Sequence, residues 1–260
     1  MLSFHELHHQ PAPLLLPNAW DIGSALAFAE AGFSAIGTTS FGVAARAGFP
    51  DGGRSTRDAT FALARGLASL PVHVSCDIED GYSDDPEAVA GFVAELGVAG
   101  VNVEDSSAEA LIDPGAHAAK VAAIKRAAPG VFVNARVDTY WLGQEATVAA
   151  TLDRARAYAE AGADGVFIPG ATDPEDLRRF AAGIPVPVNV LAHPRLPVAE
   201  LGALGIRRIS TGSLPYRAAL DAAAGVATGL RDGGLPPTAT GYPEMQERLV
   251  RYHAGTYQVR

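Results

Sequence analysis

Short runs of apolar residues recur along the whole chain, separated by longer alanine-rich stretches. Each run is four or five residues long and is bounded by Gly, Pro, Asn, Asp or charged residues. Short, continuously apolar segments of this kind are typical of strands in a parallel sheet that is covered on both faces. The pattern predicts eight strands, at residues 14–17, 35–38, 72–76, 100–103, 131–135, 165–168, 186–190 and 206–210.

The stretches between these runs carry apolar residues at helical spacing. Breaks such as Glu30-Ala31-Gly32 and Glu160-Ala161-Gly162 place a glycine just beyond a helix end, where a left-handed residue usually caps it. Each stretch follows a predicted strand. Eight helices are predicted, at residues 21–31, 56–68, 86–96, 116–127, 145–161, 174–182, 198–204 and 216–229.

Eight consecutive strand–helix units predict an α/β fold, a closed (β/α)8 TIM barrel over residues 1–230. An open doubly wound sheet is the alternative, but the glycine-rich nucleotide turn after its first strand is missing. After the Gly233-Gly234-Leu235-Pro236-Pro237 break, an amphipathic segment at 243–254 predicts a helix outside the barrel. Residues 231–260 are therefore expected to form a C-terminal helical extension that contacts another subunit.

Composition narrows the class of protein. Hydrophobic residues make up 48% of the 260-residue chain, which is ample for a large core, and the formal net charge is -9. The acidic balance argues against nucleic acid or an anionic membrane as a partner. A single cysteine excludes an intrachain disulfide and suits the reducing cytoplasm. The N-terminus carries His5, His8 and His9 without an apolar core, so we expect a solvated segment rather than a signal peptide or metal cluster.

Acidic side chains follow the third, fourth and fifth predicted strands. Asp77 and Glu79 are two residues apart, so strand alternation predicts that they share a face, with Cys76 turned toward the helices as a buried thiol. Glu104 and Arg136 end the next two strands. Since active sites of such barrels lie at the C-terminal strand ends, oxygen ligands there predict a magnesium site. Ion pairs at the barrel rim are the alternative, with Arg136 either pairing with Glu104 or binding a substrate carboxylate.

Three loops add candidate groups. The turn at Thr39-Ser40 offers backbone N–H groups for an oxyanion, and Asp51 lies on a loop shaped by glycine and proline. The segment around Gly212 resembles a phosphate-binding turn, although barrel closure explains it better.

Taken together, these motifs resemble the isocitrate lyase / phosphoenolpyruvate mutase superfamily over about residues 17–230. The motifs are Asn18-Ala19-Trp20-Asp21, Thr39-Ser40, Pro50-Asp51-Gly52, Asp77-Ile78-Glu79-Asp80-Gly81-Tyr82, Val103-Glu104-Asp105 and Asn134-Ala135-Arg136-Val137-Asp138. The resemblance implies Mg²⁺, with Mn²⁺ as an alternative, held by Asp77, Glu79, Glu104 and Asp51, partly through water.

The same resemblance implies a 2-oxo acid on the metal, with its carboxylate bound by Arg136 and by the N–H groups of Thr39 and Ser40. Trp20 and Asn189 are further candidates for substrate binding, and Asp51 and Arg136 for catalysis. Members are commonly tetramers in which a C-terminal helix crosses to a neighbour. A homo-oligomer, dimer or tetramer, is therefore expected here.

The chain also departs from the family pattern. Lyases of the family have a Lys-Lys/Arg-Cys-Gly-His segment after the glutamate strand, where this chain has residues 106–114 without cysteine. They place a glutamate after the sixth strand, where this chain has Ile168-Pro169-Gly170-Ala171. Phosphonate-handling members use amide and cationic groups in residues corresponding to 106–114, and none is present. We expect this segment to be a mobile lid, with Glu109 as a candidate proton carrier.

These features predict a Mg-dependent enzyme that makes or breaks a C–C bond next to the carbonyl of a small 2-oxo or 2-hydroxy acid. It would be a lyase or an oxaloacetate-type decarboxylase. The alternatives are phosphonopyruvate hydrolase or phosphoenolpyruvate mutase-like chemistry, a non-catalytic 2-oxo acid binding protein, and a phosphosugar-type barrel enzyme that binds phosphate without metal.

Overall fold

The computed structural model describes residues 2–257. Nine parallel strands form the main sheet, and two short antiparallel strands form a separate hairpin. The strands are β1 (Leu14–Leu16), β2 (Asn18–Ala19), β3 (Ala35–Thr38), β4 (His73–Asp77), β5 (Gly100–Glu104), β6 (Ser106–Ser107), β7 (Ala110–Leu111), β8 (Phe132–Arg136), β9 (Gly165–Phe167), β10 (Val188–Leu191) and β11 (Arg208–Ser210).

The sheet closes on itself through its first strand. β1 pairs with β11 and β2 pairs with β3, and only Pro17 separates β1 from β2. Proline has no N–H to donate to a strand neighbour, so the strand is interrupted at this residue while the chain continues along the barrel. The order β1-β11-β10-β9-β8-β5-β4-β3-β2 thus fills eight barrel positions, and the predicted TIM-type α/β barrel is confirmed.

Helices follow the strands close to the predicted bounds. Several begin at an Asp or Thr whose side chain accepts a backbone N–H, as Asp85 does from Glu87 and Thr147 from Ala150. The helices are α1 (Phe4–Leu7), α2 (Ile22–Glu30), α3 (Ser40–Ala45), α4 (Arg57–Leu67), α5 (Pro86–Leu96), α6 (Pro114–Ala127), α7 (Thr139–Leu142), α8 (Val148–Glu160), α9 (Pro174–Gly183), α10 (Val198–Ala203), α11 (Leu214–Arg231) and α12 (Tyr242–His253).

The N-terminal end of the barrel is closed by α1. Phe4 is buried against Phe132 at a ring distance of 5.5 Å, and Gly100 leaves the room that Phe4 occupies, because a Cβ there would lie 2.6 Å from its ring. His8 stacks on Phe132 at 4.0 Å and is 1% exposed. The expectation of a solvated N-terminal segment is therefore wrong for Phe4 and His8, which plug the barrel.

The predicted eighth barrel helix is present as α11 but does not cover the barrel wall. Its first turn lies near β2 and carries the buried Tyr216, whereas every residue from Arg217 to Arg231 is exposed. Leu220, Val226 and Leu230 are among these exposed side chains. The predicted bounds are correct, but the predicted place in the outer layer of the barrel is wrong.

The C-terminal extension returns to the barrel as α12. The Tyr252 hydroxyl donates to the Gly66 carbonyl at 2.8 Å, and the Tyr257 hydroxyl donates to the Leu26 carbonyl at 3.2 Å. Arg251 Nη2 donates to Glu30 at 3.2 Å. Among residues 2–257, no helix combines the length and the apolar character needed to cross a membrane.

Candidate active site

Two adjoining chambers open at the C-terminal ends of the strands. The inner chamber, of about 80 Å³, lies among the strand ends and contains Asp77 and Asn102. The outer chamber, of about 350 Å³, lies under the β6–β7 hairpin and contains Glu79 and Glu104. The two chambers share Phe41, Asp51, Arg136 and Trp141. The structure therefore brings most predicted site residues to one place.

Asp77 lies at the end of β4 with its two carboxylate oxygens in different situations. Oδ2 accepts the Ser40 backbone N–H at 3.1 Å and the Ser40 hydroxyl at 2.9 Å. Oδ1 is buried and has no hydrogen-bond partner. A buried carboxylate oxygen without a partner is costly unless a cation or water meets it. Asp77 Oδ1 is thus the best-placed oxygen for a metal ion.

The N–H groups that the resemblance assigned to the substrate are already in use. Thr39 N–H donates to the Ala19 carbonyl at 3.1 Å, and Ser40 N–H donates to Asp77. The Thr39 side chain instead caps α3. In this structure the turn therefore supports Asp77, and neither N–H is available for a substrate carboxylate.

Glu79 lies beyond the end of β4, so strict strand alternation no longer applies to it. Its backbone has φ 50°, a left-handed conformation that is uncommon for a residue with a side chain. The Glu79 carboxylate accepts the Thr56 hydroxyl and the Arg54 backbone N–H, the latter at 2.8 Å. Burial raises the pKa of Glu79, against the effect of these hydrogen bonds. Glu79 consequently lines the outer chamber while Asp77 lines the inner one.

Arg136 links the two chambers. Its Nη1 pairs with Glu104, and its Nε donates to Asp138 Oδ1 at 2.6 Å, while Ser106 donates its hydroxyl to the other Asp138 oxygen. Burial raises the pKa of Glu104, and the Arg136 guanidinium opposes this rise. The structure thus shows the ion pair that the sequence left open, and the guanidinium still lines both chambers.

Asp51 lies at the chamber mouth on the loop between α3 and α4. The Ser40 hydroxyl is 3.3 Å from Asp51 Oδ1, although its single hydrogen can serve only one of Asp51 and Asp77 at a time. Partial desolvation and the neighbouring Asp77 carboxylate raise the pKa of Asp51. A carboxyl group with a raised pKa in a cleft is a candidate for proton transfer.

A salt bridge that the sequence did not reveal holds the Asp51 loop. Arg54 Nε donates to both Asp80 oxygens, at 2.9 and 3.1 Å, and Arg54 Nη2 also pairs with Asp84. The buried Lys120 ammonium donates to the Asp80 carbonyl at 2.8 Å. Asp80, where many family members have Thr or Ser, is therefore a partner for Arg54.

The segment predicted as a lid forms a regular hairpin. β6 pairs with β7, and the two turn residues, Ala108 and Glu109, have φ values of 49° and 61°. Such a turn normally uses Asn or Gly, so this one is strained. The Gln144 side chain spans it, accepting Leu111 N–H at 3.1 Å and donating to the Glu109 carbonyl at 2.9 Å. Glu109 is exposed and lines the outer chamber.

Two predicted substrate-binding residues do not line either chamber. Trp20 packs against Tyr216 at a ring distance of 5.4 Å. Asn189 is 1% exposed and donates to the Ser210 hydroxyl at 3.1 Å, one layer deeper in the barrel. Both therefore stay predictions: Trp20 contacts Tyr216 of α11, and Asn189 lies beside the chamber residue Ser210.

The chamber walls contain residues that the sequence did not single out. Phe41, Trp141, Phe167 and Leu191 surround the polar groups of the inner chamber. Phe167 and Leu191 end β9 and β10, whereas Phe41 and Trp141 lie in the short helices α3 and α7; apolar residues at such positions look like ordinary core in the sequence. Cys76 is fully buried among the helices, and burial raises its pKa to about 12, as expected for a structural thiol.

The donor set fits a hard divalent cation held partly through water. Within residues 2–257, no three His, Cys, Asp or Glu side chains are close enough together to hold a metal directly. Asp77 Oδ1 is nevertheless free, and Glu79, Glu104 and Asp51 supply further carboxylates around the same two chambers. Magnesium commonly keeps several waters and takes only one or two protein carboxylates, which suits this arrangement.

The fold and site together define an α/β-barrel enzyme whose candidate active centre is rich in carboxylates. The model of the phosphoenolpyruvate phosphomutase family matches residues 4–231. The chain therefore belongs to this family, and the predicted superfamily is confirmed. The expected class, a carbon–carbon lyase, is confirmed at the level of the family and its relatives.

Individual relatives span nearly the whole chain. An uncharacterized protein of Mycobacterium tuberculosis (strain H37Rv) is 57% identical over 255 residues, covering 98% of this chain and 99% of that protein. The 2-methylisocitrate lyase of Bacillus subtilis is 36% identical over 197 residues, covering 71% of this chain and 64% of that protein. The solved structure of phosphoenolpyruvate phosphomutase from Streptomyces platensis subsp. rosaceus matches with a TM-score of 0.81 at 26% identity, covering 95% and 97% of the two chains.

Proposed function

We propose that this protein is a magnesium-dependent lyase that binds a small 2-oxo acid and breaks the C–C bond between the carbons α and β to its carbonyl, which leaves an enolate. Decarboxylation of an oxaloacetate-type acid is the favoured reaction. The observation that carries the proposal is the Asp77 carboxylate, which has one oxygen fixed by Ser40 and the other buried without a partner. This free oxygen lies in a small chamber that also contains the Arg136 guanidinium.

Each residue of the site has a separate role in this proposal. Asp77 would hold Mg²⁺ or Mn²⁺ directly, with Glu79 and Glu104 acting through water. When bound, the metal supplies Lewis-acid polarisation of the 2-oxo group. Arg136 orients the substrate carboxylate, and Trp141 and the other apolar walls exclude water from the inner chamber.

The cations of the outer chamber limit the charge of the substrate. Arg54 is matched by Asp80 and Asp84, and Arg136 is matched by Glu104 and Asp138. The hairpin residues 106–111 contain no Lys or Arg. Within residues 2–257, every cation that lines the outer chamber thus has a carboxylate partner, which favours a distal group that departs as neutral CO₂ or as an uncharged fragment over a phosphonate or a third carboxylate.

The test is turnover of oxaloacetate, 2-methylisocitrate and phosphonopyruvate by the purified protein, with Mg²⁺ and after chelator treatment. We expect metal-dependent release of pyruvate from oxaloacetate. Glu109→Gln should reduce this rate if Glu109 carries the proton, while metal affinity stays unchanged. Binding without turnover of any of the three acids would indicate a 2-oxo acid binding protein instead. Faster cleavage of phosphonopyruvate would support the hydrolase or mutase alternative.

We also propose a homo-oligomer. The exposed apolar side chains of α11, including Leu220, Val226 and Leu230, have no cover within residues 2–257. A second copy of the chain would bury them. Light scattering should give a mass of at least two chains, and Leu220→Glu with Val226→Glu should lower it toward one chain.

A further inference from the structure

An arginine lies inside the barrel below the inner chamber without a carboxylate partner. Arg208 on β11 is 1% exposed, and no Asp or Glu of residues 2–257 is within ion-pair distance of it. Its Nη2 donates to Asn102 Oδ1 at 3.1 Å, its Nε donates to the Ser210 hydroxyl at 3.3 Å, and its Nη1 has no partner. Buried charges are normally paired, so this arrangement calls for an explanation.

The Asn102 amide receives two hydrogen bonds on the same atom. Besides Arg208, Asn134 Nδ2 donates to Asn102 Oδ1, at 2.9 Å. An amide has one acceptor oxygen and one NH₂ donor, so two donors at the oxygen fix which way the group points. Since Asn102 also lines the inner chamber, its NH₂ group is the part left to face that chamber.

We propose that Asn102 is a substrate-orienting hydrogen-bond donor and that Arg208 is the positioning residue that fixes its amide. This inference rests on the proposed function and names an additional contact of the same site. The Asn102 NH₂ donates to an oxygen of the bound acid, next to the metal that Asp77 holds. A donor fixed beforehand costs no reorganisation when the ligand binds, which is the property that favours an oxyanion.

Arg208 also contributes its charge. Among residues 2–257, six carboxylates line the two chambers, those of Asp51, Asp77, Glu79, Asp80, Glu104 and Glu109, against two cations, Arg54 and Arg136. Burial lowers the pKa of Arg208 to about 9, which leaves the side chain protonated at neutral pH, and the Asp77 charge acts in the opposite sense. A cation beneath the inner chamber therefore offsets part of the repulsion that an incoming anion would meet.

The test is binding of oxalate, a compact dianion, measured by calorimetry in the presence of Mn²⁺, alongside the Mn²⁺ affinity alone. Asn102→Leu removes the donor at similar volume, and we expect oxalate affinity to fall at least tenfold, as for loss of a hydrogen bond to a charged group. Asn102→Asp gains a charge partner in Arg208, so the fold should be retained, yet it replaces the donor by an acceptor and should lose more affinity. Mn²⁺ affinity should change by less than about threefold in Asn102→Leu.

Arg208→Lys keeps the charge but cannot hold Asn102 and Ser210 with a planar fork, so we expect an intermediate loss of oxalate affinity. Ser75→Ala is the matched control, because Ser75 is an equally buried barrel residue whose hydroxyl has no partner. Native oxalate affinity in folded Asn102→Leu and Asn102→Asp would overturn the inference while leaving the proposed function intact. A wild-type protein that binds no oxalate with Mn²⁺ would overturn both.

Discussion

The salt bridge between Arg54 and Asp80 is expected to control how firmly the Asp51 loop closes the site. Arg54→Ala and Asp80→Ala would each cut the two bonds at 2.9 and 3.1 Å between Arg54 Nε and the Asp80 carboxylate. The Asp80 side chain is 4% exposed and that of Arg54 is 32% exposed, so the pair is neither a surface pair nor fully buried.

The size of the coupling energy between Arg54 and Asp80 can be estimated from the exposed fractions of the two side chains. Breaking a fully buried pair costs roughly 3–5 kcal/mol, whereas an exposed pair contributes about 0–1 kcal/mol. In Arg54→Ala, the Asp80 carboxylate would still accept the Tyr82 N–H at 3.0 Å, which reduces the free-energy cost of losing Arg54. We therefore expect a coupling energy between Arg54 and Asp80 of about 1.5 kcal/mol, or on the order of tenfold in an equilibrium constant.

A double-mutant cycle measures this coupling in urea unfolding and in oxalate affinity with Mn²⁺. Because the loop is local, we expect the larger effect in ligand affinity. Arg57→Ala is the control, since Arg57 pairs with Asp58 on the exposed face of α4 and should change either quantity little. Effects of Arg54→Ala and Asp80→Ala that add to within about 0.4 kcal/mol would refute the coupling.

Three further predictions address the site and the fold. Asp77→Asn should abolish Mn²⁺ and ligand binding measured by calorimetry, whereas Cys76→Ser should leave both intact; equal losses would mean that the two side chains do not face opposite sides of β4. Arg136→Lys should weaken 2-oxo acid binding at least tenfold despite the retained charge, because an ammonium cannot make two parallel bonds, and native affinity would assign Arg136 to structure alone. Burial lowers the pKa of His117 to about 3, below its unfolded value, so its stabilising contribution is present above about pH 6.5 and is lost as pH falls. We expect the free energy of unfolding in urea to fall between pH 7 and pH 5 by about 2 kcal/mol less in His117→Phe than in the wild type. Equal decreases in the two proteins would contradict the predicted direction of the pH dependence.

The hairpin over the outer chamber shows how the departures from the family pattern are accommodated. Ala108 and Glu109 both occupy left-handed backbone conformations, and Gln144 is bonded to the chain on either side of the turn. The hairpin contributes hydroxyl groups and Glu109 to the chamber, with no thiol and no cation. The chemistry available on this side is therefore limited to proton transfer and exclusion of water, which is consistent with decarboxylation.

The alternation of apolar runs and helical stretches was enough to predict the barrel, because each strand must be buried on both faces and each helix on one. The acids at the ends of β4 and β5 were visible for the same reason, since strand ends in a closed barrel meet at one rim. The sequence did not show which partners these acids take. Arg54 and Asp80 are 26 positions apart in the chain, and Asn102 and Arg208 are 106 positions apart. The sequence likewise did not show that α11 is exposed. Such contacts follow from packing distances and buried charge, which only the folded chain determines.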